Sequence, residues 1–215
     1  MQCFNVPKGK SIHKQVLLAH GAGAGMQSDF MQHIARELSE NGVTTWLFDF
    51  PYMQKAQALG KKRPPDRAPV LLDAFSTAIG EVTSSRAFDP DVPFYIGGKS
   101  MGGRIASLWA SDDELVLPEN VSLAGVIALG YPFHPPGKPE KLRTEHLSTL
   151  RCPMLIVQGE RDTFGNQSLV SELVLPDIVS LLWLADGDHS FKPRKASGFS
   201  QQAHIAQAAD WIAAW

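Results

Sequence analysis

Gly98-Lys99-Ser100-Met101-Gly102 fits the pattern G-x-S-x-G, in which a serine hydroxyl is presented on a tight turn between small neighbours. A serine so placed could attack a carbonyl carbon. Its hydroxyl is a weak nucleophile at neutral pH, so the chemistry needs a base, and histidine titrates in the useful range. Seven histidines compete for that task. His189 lies in the short turn Gly187-Asp188-His189-Ser190-Phe191, whereas His204 falls inside a helical pattern where packing or surface exposure is its expected role. A base of this kind needs in turn a carboxylate to orient it. Gly159-Glu160-Arg161-Asp162 offers two, and Asp186 and Asp188 adjoin His189 in the sequence.

The elements around these residues decide whether they can meet. The apolar run Phe94-Tyr95-Ile96, in a strand expected over Val92–Gly97, precedes the serine motif, and a helix expected over Met101–Ala110 follows it. That is the strand–turn–helix such a serine requires, with Gly97 and Gly103 extending the clearance of Gly98 and Gly102. Gln15–Ala19 reads as a buried strand running into the glycine-rich His20–Gly25. Phe30, Ile34 and Leu38 recur at helical spacing up to Asn41-Gly42, and Val43–Phe48 is a second strand. Met53–Pro69, with five basic residues and three prolines, reads as a solvated loop, followed by a helix over about 66–84. Val121–Leu129, Met154–Gln158 and Val179–Leu184 complete the strands. A tail helix from about Ser200 packs Ile205, Ala209 and Ile212 on the sheet. Alternating strands and helices with no repeat or linker predict a single α/β domain over 1–215 with a mostly parallel sheet.

With the serine motif in this setting, the sequence resembles the α/β-hydrolase superfamily from Val16 to Trp215. The segments Gly97–Arg104 and Gly130–Lys138 look like the small hydrolase-like group that includes testis-expressed protein 30 and KAT8 regulatory NSL complex subunit 3. The resemblance implies the chain order serine, acid, histidine. It therefore points to Ser100 as nucleophile, Asp162 as acid through the pattern G-x-x-D, and His189 as base. Glu160 is the fallback acid. Asp162 has a second reading, as a turn residue capping a helix near Asn166.

An acyl-transfer site also needs two backbone N–H donors for the carbonyl oxygen as it becomes negative. The residue after the nucleophile, Met101, supplies the first. The second comes from His20-Gly21-Ala22-Gly23, which resembles the family's H-G-x segment; Ala22 is the first choice, Gly23 the alternative, and His20 is expected to brace the loop. Only about 20 residues, Gly130 to Leu150, follow the Val121–Leu129 strand, too few for a large helical lid. Prolines stiffen the first part of that loop. Phe133 and His134 either line the substrate site there or pack without touching substrate. Lys99 and Arg104 read as ion-pairing residues, with attraction of an anionic substrate as the alternative.

Composition narrows the partners. The formal net charge of −2 gives no electrostatic case for nucleic acid or an anionic membrane, and no apolar run approaches the roughly 20 residues that span a bilayer. Cys3 and Cys152 make neither a disulfide framework nor a zinc site, so a reducing cytoplasm is expected. Gly21–Gly25 fails the dinucleotide fingerprint at Met26, and Gly98-Lys99-Ser100 lacks the leading glycine of a phosphate-binding loop. The expectation is a cofactor-free serine hydrolase acting on a small carboxylester or thioester. Its rival is a hydrolase-shaped interaction module that docks a protein through Lys55–Arg67.

Overall fold

A computed structural model describes residues 1–215. Its centre is one seven-stranded sheet: β1 (Gln2–Phe4), β2 (Lys14–Ala19), β3 (Val43–Phe48), β4 (Phe94–Lys99), β5 (Leu123–Leu129), β6 (Met154–Gly159) and β7 (Val179–Leu184). The spatial order is β1-β3-β2-β4-β5-β6-β7; β1 runs antiparallel to β3 and every other pairing is parallel. Parallel strands need crossovers that cover both faces, which is why β2, β3 and β6 are buried along their whole length.

Alternate residues of each strand feed opposite layers of core. In β2, Val16 and Leu18 meet α1 (Asp29–Glu40) and α6 (Gln201–Ala214) through Ile34, Leu38, Ile205 and Ile212. Leu17 and Ala19 face the other way, toward α3 (Ala68–Thr83) and α4 (Met101–Ala110), which contribute Phe75, Ile79, Ile105 and Trp109. Truncating any of these larger side chains to alanine would cost about 2–5 kcal/mol.

The topology also chooses where a site forms. From β2 the chain crosses to β3 on one side, then returns to β4 on the other. The loops leaving the carboxyl ends of β2 and β4 therefore diverge and open a crevice between them. Those two loops carry His20–Gly25 and Ser100.

Two elements depart from the sequence expectation. The segment read as a loop from Met53 begins with α2 (Pro51–Leu59), which has proline in its first turn and ends at Gly60 with φ 61°. Only Tyr52 of α2 is buried, so the helix shows no apolar periodicity by which the sequence could reveal it. The three-residue edge strand β1 is likewise too short to carry a pattern. A short helix α5 (Gln167–Val170) follows β6, capped by Asn166, whose side chain accepts from Leu169 N. Between β5 and β6 there is only a loop with one 3₁₀ turn, Glu145–Thr149, and no lid. No helix is long and apolar enough to cross a membrane.

Candidate active site

Ser100 occupies the N-cap of α4 with φ 51° and ψ −112°, a conformation that costs an L residue about 1–3 kcal/mol. The surroundings hold it there. A Cβ at Gly98 or at Gly102 would collide with the Ala19 carbonyl oxygen, so only glycine lets the turn lie this close to β2. Ser100 N donates to Leu129 O at 2.9 Å, and Arg104 N donates to Ser100 O at 3.1 Å, fixing the turn to β5 and to its own helix.

Three side chains distant in sequence meet in line. His189 Nε2 lies 2.8 Å from Ser100 Oγ, and His189 Nδ1 lies 2.8 Å from Asp162 Oδ2. An ionised carboxylate only accepts, so Nδ1 carries the imidazole proton and Nε2 is free to accept from the serine hydroxyl. Asp162 is fully buried and takes two more hydrogen bonds, from Gln158 Nε2 at 3.0 Å and Phe164 N at 2.8 Å. Gln158 was not foreseen as part of the site. It also donates to Tyr131 O and Gly165 O and accepts from Tyr131 N, tying the loops after β5 and β6 together. Its one sequence signal is a lone amide ending the apolar run Met154–Val157.

The competing residues have other partners. Glu160 accepts from Asp186 N at 2.8 Å. Asp186 binds Arg194 and Arg161, and the Arg194 guanidinium chiefly holds its carboxyl down at about 2. Asp188 Oδ1 accepts from Ser190 N and Lys192 N. His204 is buried in α6 with Nδ1 against Phe191 O. His146 sits 2.8 Å from Ser107 Oγ and is pushed down to about 4, first by burial and then by Arg104. Among the candidate acids, Asp162 alone reaches the His189 ring.

The loop after β2 is pinned from below. His20 is buried, accepts from Phe50 N at Nε2 and therefore donates from Nδ1 to Gly21 O at 2.7 Å. Burial lowers its pKa, which favours this neutral form. Tyr52 of α2 donates to Ala22 O at 3.1 Å. The N–H groups of Ala22, Gly23 and Met101 have no protein acceptor.

Ser100 stands where two clefts meet, along with Ala22 and Phe164. One, of about 370 Å³, contains His189, Lys99, Phe30 and Gly23; the other, of about 360 Å³, contains Met101, Arg104, Arg143 and Leu71. Ala22 borders both, whereas Gly23 borders only the first. Of the two readings of Phe133 and His134, the packed one holds, and neither residue borders either cleft. Phe133 is fully buried in the core, His134 turns its Nδ1 to Pro135 O, and Pro132 and Pro136 form that wall instead. Lys99 and Arg104, expected to ion-pair, do not. Lys99 is buried and donates to the His189 carbonyl at 2.7 Å; burial pushes its ammonium down to about 8 against the opposing pull of Asp162 and Asp188. No group of three or more His, Cys, Asp or Glu side chains is arranged to hold a metal ion.

A central parallel sheet, a strained serine between strand and helix, and a crevice at the topological switch define the α/β-hydrolase architecture. The alpha/beta hydrolase domain family matches residues 12–215, and the chain belongs to it. Among solved structures, dienelactone hydrolase from Anabaena variabilis superposes with a TM-score of 0.66 at 22% identity, covering 98% of this chain and 89% of that one. A lidless serine hydrolase from Xanthomonas campestris gives 0.66 at 16% identity, covering 98% and 87%. A monoacylglycerol lipase from Paleococcus ferrophilus gives 0.65 at 14%, covering 99% and 97%. At such identities these structures establish a shared fold, and membership of the family supports a hydrolase.

Proposed function

We propose that the protein is a serine hydrolase that cleaves small carboxylesters or thioesters through Ser100, His189 and Asp162. The observation that carries this is the unbroken chain of two 2.8 Å contacts from Asp162 Oδ2 through the imidazole to Ser100 Oγ. In the first half-reaction His189 Nε2 takes the serine proton as Oγ bonds to the acyl carbon. The negative oxygen is held by the free N–H groups of Met101 and Ala22, and Ala22 is preferred to Gly23 because it borders both clefts. Collapse breaks the bond to the leaving alkoxide or thiolate, which receives the proton from His189. Water, deprotonated by the same nitrogen, then releases the acid and regenerates Ser100. Asp162 stays ionised throughout and stabilises the imidazolium.

The narrower kinship with the testis-expressed protein 30 group rests on Gly97–Arg104 and Gly130–Lys138 and forms part of the same proposal. The decisive experiment is labelling with a fluorophosphonate, with the adduct located by mass spectrometry. An adduct confined to Ser100, absent from Ser100→Ala and slowed in His189→Ala, is the expected result. Folded protein that stays unlabelled overturns the reading in favour of a non-catalytic interaction module.

A further inference from the structure

The two clefts flanking Ser100 differ in charge. In the His189 cleft the one ammonium, that of Lys99, is already committed to a backbone carbonyl. The opposite cleft holds two guanidinium groups, Arg104 from α4 and Arg143 from the loop before β6. Neither forms an ion pair, and Arg104 Nε is buried with no acceptor at all. Burial and the neighbouring charge of Arg104 both pull the Arg143 pKa below its usual value, so the two groups repel without a counter-ion between them. Half-buried like charges are costly to hold together unless something anionic is meant to join them.

Of the other titratable groups facing this pair, one carboxylate offsets half of its charge and the rest offset none. Asp66 is the one carboxylate on the cleft wall; it pairs with neither arginine, and its Oδ2 is buried without a donor. His146, packed behind Arg104, is neutral at physiological pH, and the Tyr131 hydroxyl donates to the Arg143 carbonyl while its pKa is pushed up to about 12. The cleft therefore keeps a single net positive charge, which suits a monoanion better than a phosphate dianion.

Chemistry decides which part of a substrate enters it. The leaving group must depart toward the imidazolium that protonates it, so it occupies the His189 cleft. The acyl group then extends into the arginine cleft. Resting on the hydrolase reading above, we propose that Arg104 and Arg143 form a carboxylate subsite for the acyl chain, and that the preferred substrates are half-esters or half-thioesters of short dicarboxylic acids. Guanidinium groups present paired N–H donors in a plane that matches a carboxylate.

Three esters separate the possibilities: mono-ethyl glutarate, ethyl pentanoate, and the pentanoate ester of 3-hydroxypropanoate, which moves the carboxylate to the leaving group. With hydrolysis followed by pH-stat, kcat/KM for mono-ethyl glutarate should exceed that for ethyl pentanoate by roughly ten- to a hundred-fold. Arg104→Gln and Arg143→Gln should each lower that ratio by roughly ten-fold, a readout that any general loss of folded enzyme leaves unchanged. A ratio near one, a ratio unmoved in both variants, or a preference for the 3-hydroxypropanoate ester overturns the subsite while fluorophosphonate labelling of Ser100 still upholds the hydrolase. Failure of that labelling overturns both.

Discussion

The nucleophile turn and the loop that brings His189 to it are held by different physics. Around Ser100 the constraint is backbone against backbone: Gly98 and Gly102 pass the Ala19 carbonyl at a distance no Cβ allows, and main-chain hydrogen bonds fix the turn at both ends. The loop from Asp186 to Arg194 makes backbone hydrogen bonds of its own, such as Asp188 N to Lys192 O, but its shape and its ties to the rest of the molecule rest mostly on side chains. Arg161 and Arg194 grip Asp186, Glu160 caps its N–H, Lys99 holds the His189 carbonyl and Asp162 holds the ring. A backbone-built feature fails all at once when a single atom is added. A side-chain-built one fails in steps, one contact at a time.

Asp162→Asn tests the loop at its chemical end and carries the largest expected effect. An amide in that position retains one oxygen but no charge, and it can face His189 with an N–H that forces the wrong tautomer. The expected loss in kcat is on the order of 10⁴-fold, with labelling of Ser100 slowed in parallel. Thermal unfolding should change modestly by comparison, because the Gln158 and Phe164 contacts involve only two hydrogen bonds. Gly102→Ala tests the other region. Its methyl group would meet the Ala19 carbonyl, so the turn must shift, at a cost of about 3 kcal/mol in stability. A shift of 1 Å in the nucleophile is expected to lower kcat by about 10²-fold, so here stability and activity fall together. If Gly102→Ala retained both, the backbone account of the turn would be wrong.

The same division explains what the sequence could and could not disclose. Gly98–Gly102 is legible because every atom that shapes the turn lies within a strand–turn–helix of contiguous residues, and β4 and α4 fall close to where their patterns place them. The alternating strands announce the parallel sheet for the same local reason. The partners of His189 are another matter: Lys99 is 90 residues away and Asp162 is 27 away, and no spacing rule links them. Lys99 illustrates the point well. Its charge inside the motif reads as one half of an ion pair, with attraction of an anionic substrate as the alternative, yet its actual acceptor is a carbonyl reached only after the sheet has assembled. Arg143 gave no signal at all, since it sits in an irregular loop and joins Arg104 only through the packing of α4 beneath it. Phe133 shows the converse, a residue near the site in sequence that could as well line it as pack, and whose side chain the core claimed.

Lys99→Met sharpens the comparison at the contact that links the two regions, because Lys99 ends β4 and grips the histidine loop. Methionine keeps the apolar stem over Phe30 and Phe191 but donates nothing to His189 O. A lost charge-assisted hydrogen bond that positions the base predicts a fall in kcat of roughly ten-fold with KM unchanged. A second readout separates this role from simple packing. The folded-state ammonium releases its proton near 8, well below the ordinary 10.5, so between those values the unfolded chain binds the proton more strongly. Stability due to Lys99 therefore rises with pH across that window. The stability difference between wild type and Lys99→Met should shift in favour of the wild type from pH 8 toward 10.5, measured by urea titration. A difference independent of pH would mean that the ammonium is not buried as described.

Asp186→Asn makes the smallest and most diagnostic change, since it loosens the base of the histidine loop without touching the ring. Asp186 adopts φ 55° and its carboxylate receives Arg194 N as well as the two guanidinium groups, so the amide keeps the turn while losing the charge. These contacts are near the surface, where ion pairs are screened, and the expected loss in kcat at pH 7 is only roughly two- to five-fold. The pH dependence carries the information. The folded-state pKa is depressed from 3.8 to about 2, mainly by the hydrogen bond from Arg194, so the stabilisation is fully present above 3.8 and is lost as pH falls toward about 2. Acid unfolding of wild type and variant, followed by tryptophan fluorescence, should therefore converge below pH 3 after differing at pH 5. Curves that stay parallel through this range would show that Asp186 contributes to the loop through its backbone turn alone. The histidine loop would then resemble the nucleophile turn more closely than its ion pairs suggest.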